Sequence, residues 1–194
     1  MSHSLCAELE LIDEFYDVIE SERLYQRLLK EQDWPENRYI VAGRQFILPR
    51  LQTWHADPGI SYGYSNNLLE TCPWTPLLAG IKLKVENFLN YSFNSVLVNL
   101  YRNGEDFVGW HADNEPELGQ YPLIASLTLG AERQFAFRHK KTSENGSVLL
   151  RSGTLLVMLP DFQHHWLHSI PIDSDETQGR INLTFRKVIP LSNG

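Results

Sequence analysis

The chain has 194 residues, of which 42% are hydrophobic, a formal net charge of −7 and two cysteines. This length suits one domain with a sizeable core, no apolar run is long enough to span a membrane, and the N-terminal segment MSHSLCAELELIDEF lacks the features of a secretory signal. Cys6 and Cys72 are too few for a disulfide scaffold or a cysteine-based zinc site. We therefore expect a single domain over residues 1–194, a monomer without membrane contact, in the cytoplasm or the nucleus.

The negative net charge is relevant to whether the protein binds nucleic acid, because phosphate binding needs concentrated Lys and Arg. It argues against a surface that is basic throughout, but a local patch could still bind phosphates. The candidates are Arg44, Arg50 and the cluster RHKK at 138–141. Such clusters are more often solvated surface charge, so both interpretations stay open at this point.

The first predicted element is a helix from Leu11 to Lys30, where apolar residues recur at helical spacing. The recurring positions are Phe15, Ile19, Leu24 and Leu28. The following WPEN breaks the pattern. Residues 11–37 are therefore expected to form a helical cover that packs on the rest of the domain.

Residues 38–67 have a different character. Short aromatic-rich pieces are separated there by Gly and Pro, which favours hairpins and loops. A second helix is predicted from Pro76 to Asn90. Its apolar side consists of Leu77, Ile81, Val85 and Phe88.

From Ser95 onward the pattern changes to short strands that are bounded by turn residues. In SVLVNLY, one face carries Val96, Val98 and Leu100, and the other carries Leu97, Asn99 and Tyr101. Further strands are LIASLTLG, RQFAFRH, SVLLRSG, TLLVMLP and INLTFRKV. This order predicts a mainly β fold, a sandwich or barrel with flanking α-helices.

A histidine and an aspartate, His111 and Asp113, stand two residues apart after the turn-like RNGED. In an extended segment both side chains point to the same side. Non-haem iron oxygenases use two histidines and one carboxylate on one face of the metal. The pair alone does not separate a metal site from a polar loop, because such short motifs also arise by chance.

A second histidine could come from QHHWLHS, which holds three of the seven histidines of the chain. They are His164, His165 and His168. Strand alternation does not choose among them. A zinc protease is excluded, because its H-E-x-x-H motif needs a glutamate that is missing here.

The segment GRINLTFRK places polar side chains at every second position: Arg180, Asn182, Thr184 and Arg186. Two arginines on one strand face are costly to bury without an anion, and a guanidinium matches a carboxylate with two hydrogen bonds. The face therefore suits a dicarboxylic acid, unless it lies on the outside of the sheet. The strand spans roughly 20 Å, so both arginines reach one small molecule only if their side chains converge.

These segments together resemble one family, the AlkB Fe(II)- and 2-oxoglutarate-dependent dioxygenases, in particular its nucleic-acid-repair homologues. The similar segments are NLYRNGED, WHADNE, IASLTLGAERQFAFRHK, GTLLVM, HHWLHSIP and RINLTFRK, and the resemblance covers roughly residues 38–188. It implies a double-stranded β-helix (jelly-roll, cupin-like) with its core at 95–188. Residues 38–67 would then form nucleotide-recognition hairpins, or a lid.

The resemblance also implies roles for individual residues. His111, Asp113 and His168 would hold Fe(II) as the metal and catalytic residues, which selects His168 from the three candidates. The 2-oxoglutarate site would consist of Asn99, Tyr101, Arg180, Asn182, Thr184 and Arg186.

For the substrate, the resemblance points to Asn114 and Glu115 as partners of the damaged base, and to Tyr62 and Tyr64 as aromatic rings that stack on it. The alternative for the two tyrosines is burial in the core. A duplex-probing hairpin would have Val41, Ala42 and Gly43 at its tip, with Arg50 and the 138–141 cluster as phosphate partners. This tip has no aromatic wedge, which argues against efficient invasion of double strands.

The implied function is oxidative demethylation of N-alkylated bases of the 1-methyladenine and 3-methylcytosine type in DNA, or also in RNA. The reaction would use Fe(II) as the metal and consume O2 and 2-oxoglutarate. It would release formaldehyde, succinate and CO2. A 2-oxoglutarate oxygenase acting on RNA or on protein side chains would need the same residues and is the main alternative. A catalytically silent metal-binding barrel is disfavoured, because it would not need the arginine strand.

Overall fold

The computed structural model describes residues 6–41, 43–60, 63–64, 67–68 and 70–189. The strands are β1 (Leu9–Ile12), β2 (Arg38–Val41), β3 (Arg44–Ile47), β4 (Leu51–Ala56), β5 (Gly63–Tyr64), β6 (Asn67–Leu68), β7 (Thr71–Cys72), β8 (Ser95–Tyr101), β9 (Val108–His111), β10 (Ile124–Gly130), β11 (Arg133–His139), β12 (Asn145–Leu150), β13 (Leu155–Met158), β14 (Trp166–Ile170) and β15 (Arg180–Arg186). The helices are α1 (Val18–Glu31), α2 (Pro76–Leu89) and α3 (Phe162–His165), with a 3₁₀ turn at Pro116–Leu118.

Two sheets face each other. The larger has seven strands in the order β1-β13-β10-β15-β8-β4-β7, and the smaller has four in the order β12-β11-β14-β9. A shared apolar cluster joins them, with Ile124 and Leu156 from the larger sheet against Phe135 and Trp166 from the smaller. The architecture is thus two packed β layers, as the strand pattern predicts.

The outer face of the larger sheet is covered by the two long helices. Val96, Val98 and Leu100 of β8 lie in one core cluster with Leu24 of α1 and Ile81 of α2. The opposite face of the same strands, with Asn99 and Asn182, is turned to the smaller sheet and lines a cavity. Period-two alternation therefore divides each strand between a helix-covered core and a polar site.

The first helix begins later than its apolar spacing predicts. Asp17 caps it by accepting a hydrogen bond from the Glu20 amide at 2.8 Å, so α1 starts at Val18 and not at Leu11. The preceding residues form β1, whose Leu11 pairs with Leu156 of β13. Ile19 is 83% exposed, and Phe15 precedes the helix. The prediction that these two residues lie on the apolar side of the helix is therefore wrong. Residues 9–12 form a strand because they pair with β13, which is far away in the sequence.

The second helix agrees with its prediction. Thr75 accepts a hydrogen bond from the Leu78 amide, and Pro76 occupies the first turn. Asn90 ends the helix in a left-handed conformation with φ 48°. Leu77, Ile81 and Val85 are buried, whereas Phe88 is 55% exposed.

The segment expected to form the lid divides into two parts. Residues 38–41 and 44–47 form β2 and β3, which pair with each other, with Val41 opposite Arg44. Residues 51–56 instead form β4, which pairs along its whole length with β8 in the larger sheet. Part of the segment assigned to the lid is thus a structural strand of the core. Within the described residues, no helix is both long enough and apolar enough to cross a membrane.

Candidate metal and co-substrate site

Three side chains with metal-binding atoms converge between the sheets. His111 ends β9, Asp113 follows two residues later, and His168 lies in the middle of β14. His111 and His168 are paired residues of neighbouring antiparallel strands, with ring centres 4.2 Å apart. One candidate ligand atom from each of the three residues lies within 4.8 Å of the others.

Asp113 presents an ionised oxygen to this group. The residue is 1% exposed, and its Oδ2 accepts a hydrogen bond from Arg186 Nη2 at 2.8 Å. Burial raises the pKa of the carboxyl, but the charges of Arg186, His111 and His168 outweigh it and lower the pKa to about 2. Its Oδ1 has no hydrogen-bond partner among the described residues. An unpaired buried carboxylate oxygen is costly, and a cation would satisfy it.

His168 is held in the neutral form that binds metals. Burial, with the neighbouring His111 charge, lowers the pKa of His168 well below its usual range. The ring of His111 places Nδ1 2.8 Å from the Gly109 carbonyl. This contact favours a proton on Nδ1 and leaves Nε2, which is 3.8 Å from Asp113 Oδ1, free for coordination. Two imidazoles and one carboxylate on one side of a cavity fit Fe(II).

A residue that the sequence patterns did not identify supports Asp113. Gln163, at 1% exposure, accepts a hydrogen bond from the Asp113 amide at 2.9 Å through its Oε1. Its Nε2 contacts Met158 Sδ at 3.3 Å. A lone glutamine in QHHWLHS gives no signal in the sequence, because the contact joins residues 50 positions apart.

We expect divalent metal to stabilise the fold through these three ligands. Mn(II) at about 100 times its Kd should raise the free energy of unfolding by about 2.7 kcal/mol, measured as a shift in thermal unfolding that EDTA reverses. His111→Ala should abolish the shift. His165→Ala, which alters a half-exposed histidine outside the metal group, should retain it. An equal shift in both variants would place the metal elsewhere.

The cavity that contains the metal group is also lined by a buried arginine, Arg180. Arg180 is 1% exposed, and its Nη2 donates to Thr128 Oγ1 at 2.9 Å. Nε and Nη1 have no hydrogen-bond partner among the described residues. Burial lowers the pKa of Arg180 to about 10, against the effect of Tyr101. A buried guanidinium with two unpaired nitrogen atoms fits a carboxylate ligand.

The structure brings the predicted co-substrate residues to this one cavity. It is lined by Arg50, Leu97, Asn99, Tyr101, Val108, His111, Asp113, Ser126, Phe135, Met158, His168, Ile170, Arg180, Asn182, Thr184 and Arg186. Asn182 Nδ2 donates to Ser126 Oγ at 2.7 Å, and Thr184 Oγ1 donates to Asn182 Oδ1 at 2.7 Å. The polar face of β15 is therefore internal, and the alternative of an exterior face is wrong. Ser126 and the apolar residues of the wall were missed, although the alternation of Ser126 and Thr128 along β10 is a signal that could have indicated Ser126.

The two arginines of β15 have separate contacts. Arg186 pairs with Asp113 at 2.8 Å, while Arg180 lies beside the ring of Tyr101, 5.1 Å from its centre. The intervening strand is paired in regular register with β8 on one side and β10 on the other. Arg186 thus contacts a candidate metal ligand, and Arg180 lies at the other end of β15, beside Tyr101.

Arg50 lies in a different environment from the one expected. It is 4% exposed, its Nε donates to Asn99 Oδ1 at 3.0 Å, and its Nη1 donates to the Phe107 carbonyl at 3.1 Å. A side chain that is buried in the cavity wall does not hold surface phosphates. Burial of β4 against β8 explains the difference, since it carries the start of β4 into the site.

Of the expected substrate residues, Asn114 and Glu115 are not among the residues that line this cavity, whereas Arg50 is. Asn114 is exposed and Glu115 is half-buried, both directly after Asp113. Gly43 has φ +77°, and Val41 pairs with Arg44. Tyr64 pairs with Asn67 in the β5–β6 hairpin. Ala42 and Tyr62 lie outside the described residues.

Comparisons with known proteins identify the family of the chain. A family model, the 2OG-Fe(II) oxygenase superfamily, matches residues 8–186. Alpha-ketoglutarate-dependent dioxygenase alkB homolog 3 of Homo sapiens is 38% identical over 190 residues, which are 93% of this chain and 66% of that protein. DNA oxidative demethylase ALKBH2 of Mus musculus is 36% identical over 182 residues, which are 88% of this chain and 76% of that protein. The chain thus spans a little under two thirds of the length of the alkB homolog 3 protein.

Two solved structures share the fold. OsALKBH1 superposes with a TM-score of 0.62 at 20% identity, over 95% of this chain and all (100%) of that one. A Pseudomonas putida prolyl-4-hydroxylase gives 0.58 at 15% identity, over 93% and 92%. They confirm the predicted mainly β fold with flanking α-helices and a jelly-roll core.

Proposed function

Because the chain belongs to the 2OG-Fe(II) oxygenase superfamily, and within it to the AlkB family, we propose that it is an oxidative demethylase of N-alkylated bases in DNA. The observation that carries the proposal is one cavity with two features. It holds the His111, Asp113 and His168 group at one end and, at the other, the buried guanidinium of Arg180, whose Nε and Nη1 have no hydrogen-bond partner among the described residues. A catalytically silent metal-binding barrel would have no use for the second feature.

We assign the cavity residues to two tasks. His111, Asp113 and His168 would hold Fe(II), and Arg186 keeps Asp113 ionised and oriented. Arg180 would bind a carboxylate of 2-oxoglutarate, with the co-substrate lying along Asn99, Tyr101, Asn182 and Thr184. Fe(II), when bound with 2-oxoglutarate and O2, supplies the oxidation that converts an N-methyl group to N-hydroxymethyl, with succinate and CO2 as co-products, after which formaldehyde leaves the base.

The cavity requires the base to leave the helix stack. The N1 atom of adenine and the N3 atom of cytosine lie on the pairing edge, so a methyl group there is out of reach inside a duplex. A methylated base that cannot pair is the easiest to extrude. The side chains offered for the extruded base are Tyr62, Tyr64, Asn114 and Glu115, and the carboxylate of Glu115 suits a base that methylation has made cationic. Such substrates would place the protein in the nucleus or the cytoplasm.

The decisive assay is repair of defined lesions. Protein loaded with Fe(II) under anaerobic conditions is mixed with 2-oxoglutarate, O2 and oligonucleotides that contain 1-methyladenine or 3-methylcytosine, and repair is followed by mass spectrometry. We expect repair by the natural chain and by His165→Ala, and none by His111→Ala. Single strands should be repaired faster than duplexes, since the hairpin tip lacks an aromatic wedge.

The products separate the proposal from its alternatives. Formation of succinate without repair of either DNA lesion would contradict DNA demethylation and move the search to RNA and protein substrates. Absence of succinate with every substrate would contradict the oxygenase assignment itself.

A further inference from the structure

A second buried arginine lies behind the Arg180 end of the cavity. Arg133, the first residue of β11, is 1% exposed, and it is not among the residues that line the cavity. Its guanidinium carbon lies 5.8 Å from the centre of the Tyr101 ring, and that of Arg180 lies 5.1 Å from the same centre. Two buried guanidinium groups therefore lie near one aromatic ring of the cavity wall, and the roles proposed above use only one of them.

The guanidinium of Arg133 holds two connections of the chain together. Its Nη1 and Nη2 atoms donate at 2.5–3.3 Å to four backbone carbonyls, those of Asn103, Gly104, Asp106 and Pro171. The first three belong to residues 102–107, which connect β8 to β9, and Pro171 belongs to residues 171–179, which connect β14 to β15. A planar guanidinium carries five donors, so one side chain can serve several carbonyls at once. We call these two connections the loop pair.

The loop pair is also closed by a direct contact at Gly104. The Gly104 amide donates to the Glu176 carbonyl at 2.8 Å, and the Gly104 carbonyl accepts from the Asp173 amide at 2.9 Å. A Cβ at this position would lie 1.7 Å from the Asp173 carbonyl oxygen. Only glycine permits this close approach of two backbones, so any side chain at position 104 would force the two connections apart.

The position of the loop pair connects it to the co-substrate residues. Tyr101 and Arg180 are paired residues of β8 and β15. One connection begins directly after Tyr101, and the other ends directly before Arg180. The loop pair therefore adjoins the cavity wall at these two residues, and a shift of the loop pair would move the wall with it.

The same region has an excess of buried positive charge. The hydrogen-bond partners of Arg133 are carbonyl oxygens, whereas the buried carboxylate of Asp106 is paired with Arg102 at 2.8 Å. Burial and the nearby charge of Arg133 lower the pKa of Arg180 to about 10, against the effect of Tyr101. Each of two neighbouring buried cations disfavours the charged form of the other. An anionic ligand at Arg180 relieves this repulsion.

We propose that Arg133 is a positioning residue that sets the length of the 2-oxo acid that the cavity accepts. Because Arg133 holds the loop pair closed behind Tyr101 and Arg180, it fixes the distance between the Arg180 guanidinium and the metal group. A five-carbon diacid spans this distance, whereas a diacid with one more methylene group fits only if the loop pair moves outward. The inference rests on the proposed function and extends it, because it names the feature that selects the co-substrate.

The test compares the binding of 2-oxoglutarate with that of 2-oxoadipate, which is one methylene group longer. Calorimetry with Mn(II)-loaded protein gives the Kd of each acid. We expect the natural chain to bind 2-oxoglutarate about 10–200-fold more tightly, the range that one methylene group is worth in a closed pocket. Arg133→Lys keeps the charge but lacks the planar fork that reaches several carbonyls. It should therefore lower the ratio of the two Kd values at least about threefold.

A second variant opens the loop pair without a change at Arg133. Gly104→Ala places a methyl group against the Asp173 carbonyl, so it should lower the ratio of the two Kd values in the same direction. The matched control is Arg151→Lys, which alters an arginine whose side chain is 59% exposed. The control should keep the ratio of the natural chain.

Stability measurements separate this role from a structural one. Lower stability of Arg133→Lys and Gly104→Ala in urea, with an unchanged ratio of the two Kd values, would overturn the inference and make Arg133 a structural residue. Equal affinity of the natural chain for the two acids would also overturn it and leave the proposed function standing. A natural chain that binds neither acid would contradict the proposed function itself.

Discussion

Replacing Asp113 with alanine is expected to lower the free energy of unfolding of the metal-free protein by about 3–5 kcal/mol, the cost of breaking a buried ion pair by removing one partner. Asp113 and Arg186 are 1% and 3% exposed and 2.8 Å apart. Without the carboxylate, the guanidinium loses its short charged contact in a site with little access to water. The effect is separate from metal binding, because it is measured with EDTA present, by urea denaturation.

His111→Ala is the control that isolates this effect. It removes another candidate ligand, from a residue that is 24% exposed in its side chain, and we expect a cost of less than about 1 kcal/mol in the metal-free protein. Both variants should lose metal-dependent succinate formation. Equal stability of the two metal-free variants would show that the ion pair between Arg186 and Asp113 does not stabilise the fold.

Replacing Arg180 with methionine is expected to have opposite effects on binding and on stability. The affinity for 2-oxoglutarate should fall at least about 30-fold, because truncating one partner of a buried charge pair costs 2 kcal/mol or more. In the free protein, however, Nε and Nη1 of Arg180 are unpaired, so an apolar side chain of similar length should leave stability unchanged or raise it. Calorimetry with Mn(II)-loaded protein and urea denaturation measure the two quantities.

Arg180→Lys distinguishes charge from geometry. Lysine keeps the charge but lacks the planar fork that matches a carboxylate, so it should recover only part of the lost affinity. A methionine variant that unfolds at a much lower urea concentration than the natural chain would contradict the assignment and make Arg180 a structural residue of the β8, β10 and β15 region.

Much of this site could be predicted because its residues are placed by local rules. Alternation along β15 puts Arg180 and Asn182 on one face, and alternation along β8 puts their paired neighbours Tyr101 and Asn99 on one face too, which is the same face of the larger sheet. The H-x-D spacing similarly directs His111 and Asp113 to one side. These are properties of single strands, so they can be identified without the rest of the chain.

The remaining features depend on contacts between distant segments. Arg50 has no local pattern that indicates burial, and only the pairing of β4 with β8 carries it into the cavity. The start of α1 was misplaced because β1 gains its hydrogen bonds from β13. Likewise, His164 and His165 belong to the short helix α3 and not to a strand, so period-two alternation did not apply to them.

The edge position of β9 has a consequence for the order in which the metal group becomes rigid. His168 belongs to β14, which is paired on both sides, whereas His111 belongs to β9, which is paired only to β14 and has a register shift next to His168. Edge segments with few partners open at lower free energy than the interior of a sheet. Local opening of β9 therefore frees His111, while His168 in β14 and Asp113, which Arg186 and Gln163 hold, stay in place. Release of the metal would then follow fraying of β9, and its rate would be set by the hydrogen bonds of that strand.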